Sequence, residues 1–174
     1  MRDTRNGKST SMKTLYLLRH AKSSWSDASL ADFDRPLNNR GELAAPFMGR
    51  LVKARNFVPD VVYSSPAERA RQTAIAVQTA GEMAADVVFD ERIYEASPRR
   101  LREVMTDIDD VFASAMIVGH NPGIEGFVRY LTASIEPMPT AALAVIELSV
   151  GRWKDVDEVC GRLVTVIRPR DEGC

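Results

Sequence analysis

Leu15-Tyr16-Leu17-Leu18-Arg19-His20-Ala21-Lys22 decides how the rest of the chain is read. Four apolar residues in a row, too few for a helical stripe and bounded by polar residues, mark a short buried strand at Leu15–Leu18. In an open α/β sheet the ligand crevice lies beyond the carboxyl ends of the parallel strands, which is where Arg19 and His20 fall. A guanidinium suits the oxygens of a phosphate, and a neutral imidazole beside it is a nucleophile near neutral pH.

The pattern returns downstream. Ala115-Met116-Ile117-Val118 is another apolar run, and it opens into Gly119-His120-Asn121-Pro122-Gly123 before a helix over Ile124–Thr132. The chain has only two histidines, and both stand where an apolar strand exits into a polar turn. One histidine in that setting is ordinarily a structural residue. Two of them argue for a shared site, with the backbone N–H groups of Asn121–Gly123 presented to an anion.

The segments between supply scaffold and further candidates. The long loop Lys22–Leu37, with Trp25, Ser26, Asp32 and Asp34, leaves directly from His20 and is placed to cover or rim the site. Asn38 or Asn39 caps a helix running to Arg55, with Leu43, Phe47, Leu51 and Val52 recurring on one face. A strand at Val61–Tyr63 ends in Ser64-Ser65-Pro66, and a helix over Ala67–Ala80 follows, with Pro66 in its first turn and a serine cap. Arg69 and Arg71 near its start would ordinarily make a solvated face. A helix N-terminus that follows a parallel strand, however, turns its free N–H groups and positive dipole end toward the same crevice as Arg19. Val87–Phe89 reads as a strand, Glu95 falls in the loop after it, and Ser97 with Pro98 starts a helix to Thr106. Ala141–Leu148 and Leu163–Ile167 read as two more strands at the edge of a mixed sheet, with Thr140 at the entry of the first within reach of the crevice.

Bulk properties narrow the classes. A chain of 174 residues, 45% hydrophobic and 27% charged, fits one domain over residues 13–174 behind a polar, disordered tail at residues 1–12. Gly7-Lys8-Ser9 in that tail lacks the upstream glycine and strand of a phosphate loop. A net charge of −1 argues against nucleic acid or an anionic membrane as main partner. With no long apolar run and no signal-like N-terminal block, a cytoplasmic location is expected. Cys160 and Cys174 make neither a disulfide framework nor a metal-binding spacing, and Val166 stands where a cysteine phosphatase would need arginine. The acid pairs Asp107/Asp109 and Asp155/Asp157 follow no apolar strand and read as exposed turns.

Leu18-Arg19-His20-Ala21, the stretch from Ser64 to Thr73 with Arg69, Glu95, and Val118 to Gly123 together resemble the histidine phosphatase superfamily, which also holds the cofactor-dependent phosphoglycerate mutases. The wording around His20 and His120 and the short length are most similar to the small SixA-type phosphohistidine phosphatases. The resemblance implies a three-layer α/β/α sandwich with a mostly parallel central sheet. It implies a two-step phosphoryl transfer in which His20 is transiently phosphorylated, Arg19 and Arg69 clamp the phosphoryl oxygens, and His120 adds a donor. Glu95 corresponds to the general acid of the mutase-like members. Ser26 falls where mutases place an asparagine on the phosphate, and Asn121 joins the substrate-binding set. Ala21 replaces the commoner glycine.

Physical chemistry agrees with these roles. Phosphoryl transfer is mostly positioning and charge stabilisation, so two arginines and a histidine supply what a metal supplies elsewhere, and no metal or cofactor is expected. An alkoxide needs a proton as it leaves, whereas imidazole leaves more easily, so Glu95 widens the substrates from protein phosphohistidine to small phosphomonoesters. The other readings are a non-catalytic phosphate-binding module and a mutase-like phosphotransferase. The segment between Arg69 and His120 is short for the helical insertions that mutases carry there.

Overall fold

β1 (Lys13–Arg19) extends the predicted Leu15–Leu18 strand by two residues before it and one after. The computed structural model describes residues 12–174, so the expected tail, with Gly7-Lys8-Ser9, lies outside the described residues apart from Met12. The other strands are β2 (Val61–Ser64), β3 (Asp86–Phe89), β4 (Ser114–Gly119), β5 (Leu143–Leu148) and β6 (Gly161–Ile167). They form one sheet in the order β3-β2-β4-β1-β5-β6. The first four of that order are mutually parallel, while β5 runs antiparallel to β1 and β6 antiparallel to β5. The two last strands thus make the mixed edge that the sequence predicts.

Helices cover both faces, which is why the central strands read as unbroken apolar runs rather than as alternation. Leu15 and Leu17 of β1 pack with α3 (Pro98–Thr106) and α4 (Gly123–Thr132), through Leu101, Met105, Ile124 and Phe127. Tyr16 and Leu18, of opposite parity on the strand, pack with α1 (Asn39–Ala54) and α2 (Glu68–Ala80), through Ala45, Met48, Ala74 and Val77. The result is a three-layer α/β/α sandwich with a mostly parallel sheet. Among the described residues no helix is long and apolar enough to cross a membrane.

Two local expectations are corrected. The buried face of α1 is Gly41, Ala45, Met48, Gly49 and Val52, while Leu43 is 71% exposed and Phe47 and Leu51 are half-buried. Close approach decides this. A Cβ on Gly41 would overlap the Lys22 carbonyl, and one on Gly49 the Val77 carbonyl, so α1 is seated through its small residues. The second correction concerns α2, which begins at Glu68 after Ala67 with no side-chain cap, leaving Pro66 outside the helix. The serine before it has another task, described below. Asn38, of the two candidates, caps α1 by accepting the Gly41 N–H at 3.0 Å, and Ser97 caps α3 by accepting the Arg100 N–H at 3.3 Å.

Candidate active site

β1 and β4 are adjacent and parallel, with Arg19 paired to Gly119, so the next residue of each strand, His20 and His120, emerges at one level. Their ring centroids are 4.9 Å apart. β2 flanks β4 on the far side with Ser64 opposite Val118, and the first turn of α2 then delivers Arg69 to the same place. Topology alone assembles the cluster.

The two rings are held differently. His20 Nδ1 lies 2.7 Å from the carbonyl oxygen of Ala21, which can only accept, so Nδ1 carries the proton and Nε2 keeps its lone pair. Arg69 Nε donates toward that Nε2 at 3.4 Å. The Ala21 backbone is fixed in turn by donating its N–H to Thr73 Oγ1 at 3.0 Å. His120 Nε2 instead lies 2.8 Å from Ser65 Oγ, and Ser65 Oγ accepts the Ala67 N–H at 3.3 Å. Ser65 Oγ keeps its own proton to give, and in the tautomer where it donates to His120 Nε2 the other nitrogen, Nδ1, carries the N–H.

Burial pushes the His20 pKa down from 6.5 to about 4; the Ala21 hydrogen bond opposes this, and the charges of Arg69, Arg19 and Arg35 reinforce it. Burial, then His20 and Arg69, pushes His120 down to about 3, with Asp32 opposing. Both rings are therefore neutral at pH 7. Burial also lowers the pKa of Arg19, against Glu125, and its Nη1 donates to the Met138 carbonyl at 2.9 Å. Two buried polar atoms of this cluster, Arg19 Nε and His120 Nδ1, have no hydrogen-bond partner among the described residues. Each such orphan costs about 1–3 kcal/mol, and an oxyanion with several lone pairs would relieve both.

The loop after β1 folds back over the cluster. Asp32 accepts from Arg69 Nη2 at 2.9 Å, from the Tyr94 hydroxyl at 3.0 Å and from Arg35 Nη2 at 2.8 Å. Its modest burial raises the carboxyl pKa, but the bonds from Arg35, Tyr94 and Arg69 outweigh it and bring it to about 2. Tyr94 stands edge-on to His120, with 5.5 Å between centroids, and to Phe33, with 5.0 Å. Arg35 is buried and lies 3.5 Å from the centroid of the exposed Trp25 ring.

His20, Arg19, Arg69 and His120 are thus brought together, and three other predicted residues make no side-chain hydrogen bond to them among the described residues. Glu95 follows Tyr94 at φ 50°, exposed, with no side-chain hydrogen bond among the described residues. Ser26 is exposed and bonds Ser24 Oγ at 2.8 Å. Asn121 Nδ2 donates to Glu125 at 2.7 Å and to the Met138 carbonyl at 3.0 Å, so it steadies the carbonyl that holds Arg19. Arg71 pairs with Glu68 at 2.8 Å, the solvated alternative, and Thr140 lines a neighbouring cavity. Sequence reasoning missed the parts played by Asp32, Arg35, Ser65 and Tyr94. The available signal was the position of Ser65 at a strand exit and the i, i+3 spacing of Asp32 and Arg35.

Known proteins are similar to this chain over most of its length. The sequence pattern of the histidine phosphatase superfamily (branch 1) matches residues 15–100. An uncharacterized protein of Mycobacterium tuberculosis is 34% identical over 165 residues, spanning 88% of this chain and all of its own. Among solved structures, the candidate phosphohistidine phosphatase SixA of Agrobacterium tumefaciens is 32% identical, with a TM-score of 0.76 over 90% of this chain and 98% of its own. A second candidate of that kind, from Nakamurella multipartitia, is 25% identical, with a TM-score of 0.81 over 91% and 96%. With His20, Arg19 and Arg69 inside the matched stretch and a solved relative of that kind 32% identical over nearly its whole length, the chain belongs to the histidine phosphatase superfamily.

Proposed function

We propose that this protein is a phosphatase that works without a metal through a phosphohistidine enzyme intermediate, hydrolysing protein phosphohistidine or small phosphomonoesters. The observation that carries the reading is the tautomer of His20. Nδ1 is committed to the Ala21 carbonyl and Nε2 is an unprotonated nitrogen beside Arg69. Superfamily membership and the likeness to SixA support the same chemistry.

In the first step His20 Nε2 attacks phosphorus, the bond from phosphorus to the leaving oxygen or nitrogen breaks, and the leaving group takes a proton. In the second step water attacks the phosphohistidine, the N–P bond breaks, and phosphate departs with His20 neutral again. Arg19, Arg69 and the free N–H of His120 hold the phosphoryl oxygens, so charge that develops in transfer meets donors already in place. Asp32, ionised by its three donors, is unsuited to donate a proton. Glu95, next to Tyr94, takes the role of acid for poor leaving groups.

Hydrolysis of a phosphohistidine-bearing protein, p-nitrophenyl phosphate and a panel of sugar phosphates in EDTA tests the proposal. Turnover that persists in EDTA, with phosphate trapped on wild-type protein and not on His20→Ala, is the expected result. Phosphate binding without any turnover would leave a phosphate-binding module in its place.

A further inference from the structure

A second opening lies at the same end of the sheet as His20. Leu18 of β1, Leu143 of β5 and Ile167 of β6 stand in register on neighbouring strands. At about 4.8 Å per strand, the chain beyond β6 therefore starts roughly 10 Å to the side of Arg19. There the turn Pro169–Glu172, the first turns of α1 and the Pro139-Thr140 segment enclose a cavity of about 410 Å³. Its wall adjoins the site, because Lys22 follows His20 by two residues, and the N–H of Ala141, next to Thr140, donates to the carbonyls of Arg19 and His20 at 3.1 Å.

Lys22, Arg40, Arg168 and Arg170 stand on this wall against a single acidic side chain, Asp171. Arg168 is engaged by Glu136 at 2.8 Å. The other three cations are exposed and have no side-chain hydrogen bond or ion pair among the described residues. The N-terminus of α1 adds its dipole to the same side, and Leu43, the exposed residue that the α1 pattern had placed inside, lines the cavity too.

We propose that this cavity docks an acidic side chain of a phosphorylated protein substrate, about three residues along an extended chain from the phosphorylated one at ~3.3 Å per residue. The proposal rests on the phosphatase reading and adds a specificity element to it. Exposed cations gain little from a free ion. A carboxylate tethered to a phosphoryl group already held by Arg19 and Arg69 meets them at millimolar effective concentration, so a chain is the occupant these charges suit.

The test uses two phosphohistidine peptides that differ only in Asp or Asn three residues from the phosphohistidine, with p-nitrophenyl phosphate as a substrate too short to reach. Wild-type protein is expected to favour the Asp peptide on the order of tenfold, through KM and less so at high salt, as three exposed ion pairs allow. Arg40→Glu with Arg170→Glu is expected to erase that preference and leave p-nitrophenyl phosphate hydrolysis unchanged. Equal handling of the two peptides by wild type, or a preference that survives in the double variant, overturns the docking pocket. Fluorescence anisotropy on His20→Ala separates the two readings. If neither peptide is hydrolysed by wild type but Asp still strengthens binding, the phosphatase reading falls and the pocket stands; hydrolysis with no Asp effect on KM or binding leaves the reverse.

Discussion

His20 and His120 leave neighbouring parallel strands at one level, both buried, both neutral, yet each ring is held by a partner of a different kind. A backbone carbonyl fixes His20 and can only accept, which forces the lone pair outward on Nε2. A hydroxyl holds His120 and can give its proton to the ring, and the tautomer in which it does so puts a donor outward on the partnerless Nδ1. On the proposed function, one site thus takes a nucleophile and a hydrogen-bond donor from the same residue type, and the choice is made one bond away from the chemistry.

The largest effect expected from this asymmetry is on His20→Ala, which should cut turnover by roughly 10⁴-fold or more and abolish phosphate trapping on the protein. His120→Ala should lower kcat by about 10²- to 10³-fold, as loss of one donor to a developing charge does, while the phosphoenzyme still forms. Phosphate trapped on His120 rather than His20 in rapid-quench labelling would invert the assignment.

Glu95→Gln asks whether His120 must also give the leaving group its proton. Hydrolysis of an alkyl phosphate is expected to slow by about 10²-fold, and that of p-nitrophenyl phosphate only a few-fold. Equal losses would move the proton donor to His120. Ser65→Ala, which leaves both histidines in place, should cost roughly tenfold in kcat, because His120 is then free to turn its lone pair toward the phosphoryl group. Unchanged kcat would show that the serine does not select the tautomer.

An effect apart from turnover is expected on stability against pH. His20 refuses a proton down to about pH 4 in the fold, whereas its unfolded ring takes one near 6.5. Between those values the unfolded chain binds more protons, so the contribution of the neutral ring is complete above 6.5 and lost as pH falls toward 4. For His20 alone it amounts to roughly 3 kcal/mol. His120, lowered to about 3, acts in the same direction. Thermal melts from pH 7.5 to 4 should show a falling Tm, and His20→Asn should flatten the fall. An unchanged slope would place the acid sensitivity elsewhere.

Legibility followed the physics of each segment. The strands around His20 and His120 could be read because strands buried on both faces leave unbroken apolar runs, and those runs end where a parallel sheet keeps its ligands. Arg69 was legible from its place at a helix start. The α1 face was not, because hydrophobic periodicity counts bulky residues and is blind to Gly41 and Gly49, which decide how closely the helix can lie. Asp32 and Tyr94 were hidden for another reason. They reach the site from irregular segments with no period to read, and what places them is a hydrogen bond between residues far apart in the chain. Glu95 lies in a loop of the same kind, exposed beside Tyr94, and no period in the sequence sets the direction of its side chain.

The β1–β4 pairing has a consequence for how the protein comes to exist as well as for what it does. Leu17 pairs with Ile117, so the two histidines meet only after a very long loop of chain has been closed, among the costlier and later contacts for a folding chain to make. No partly folded form lacking that pairing can hold an oxyanion between both rings. On the proposed function, phosphate binds the folded site and draws the folding equilibrium toward the native state by mass action. For such a chain the ligand of the finished site is also a ballast for its folding, and refolding yield should rise with phosphate in step with its occupancy of the site.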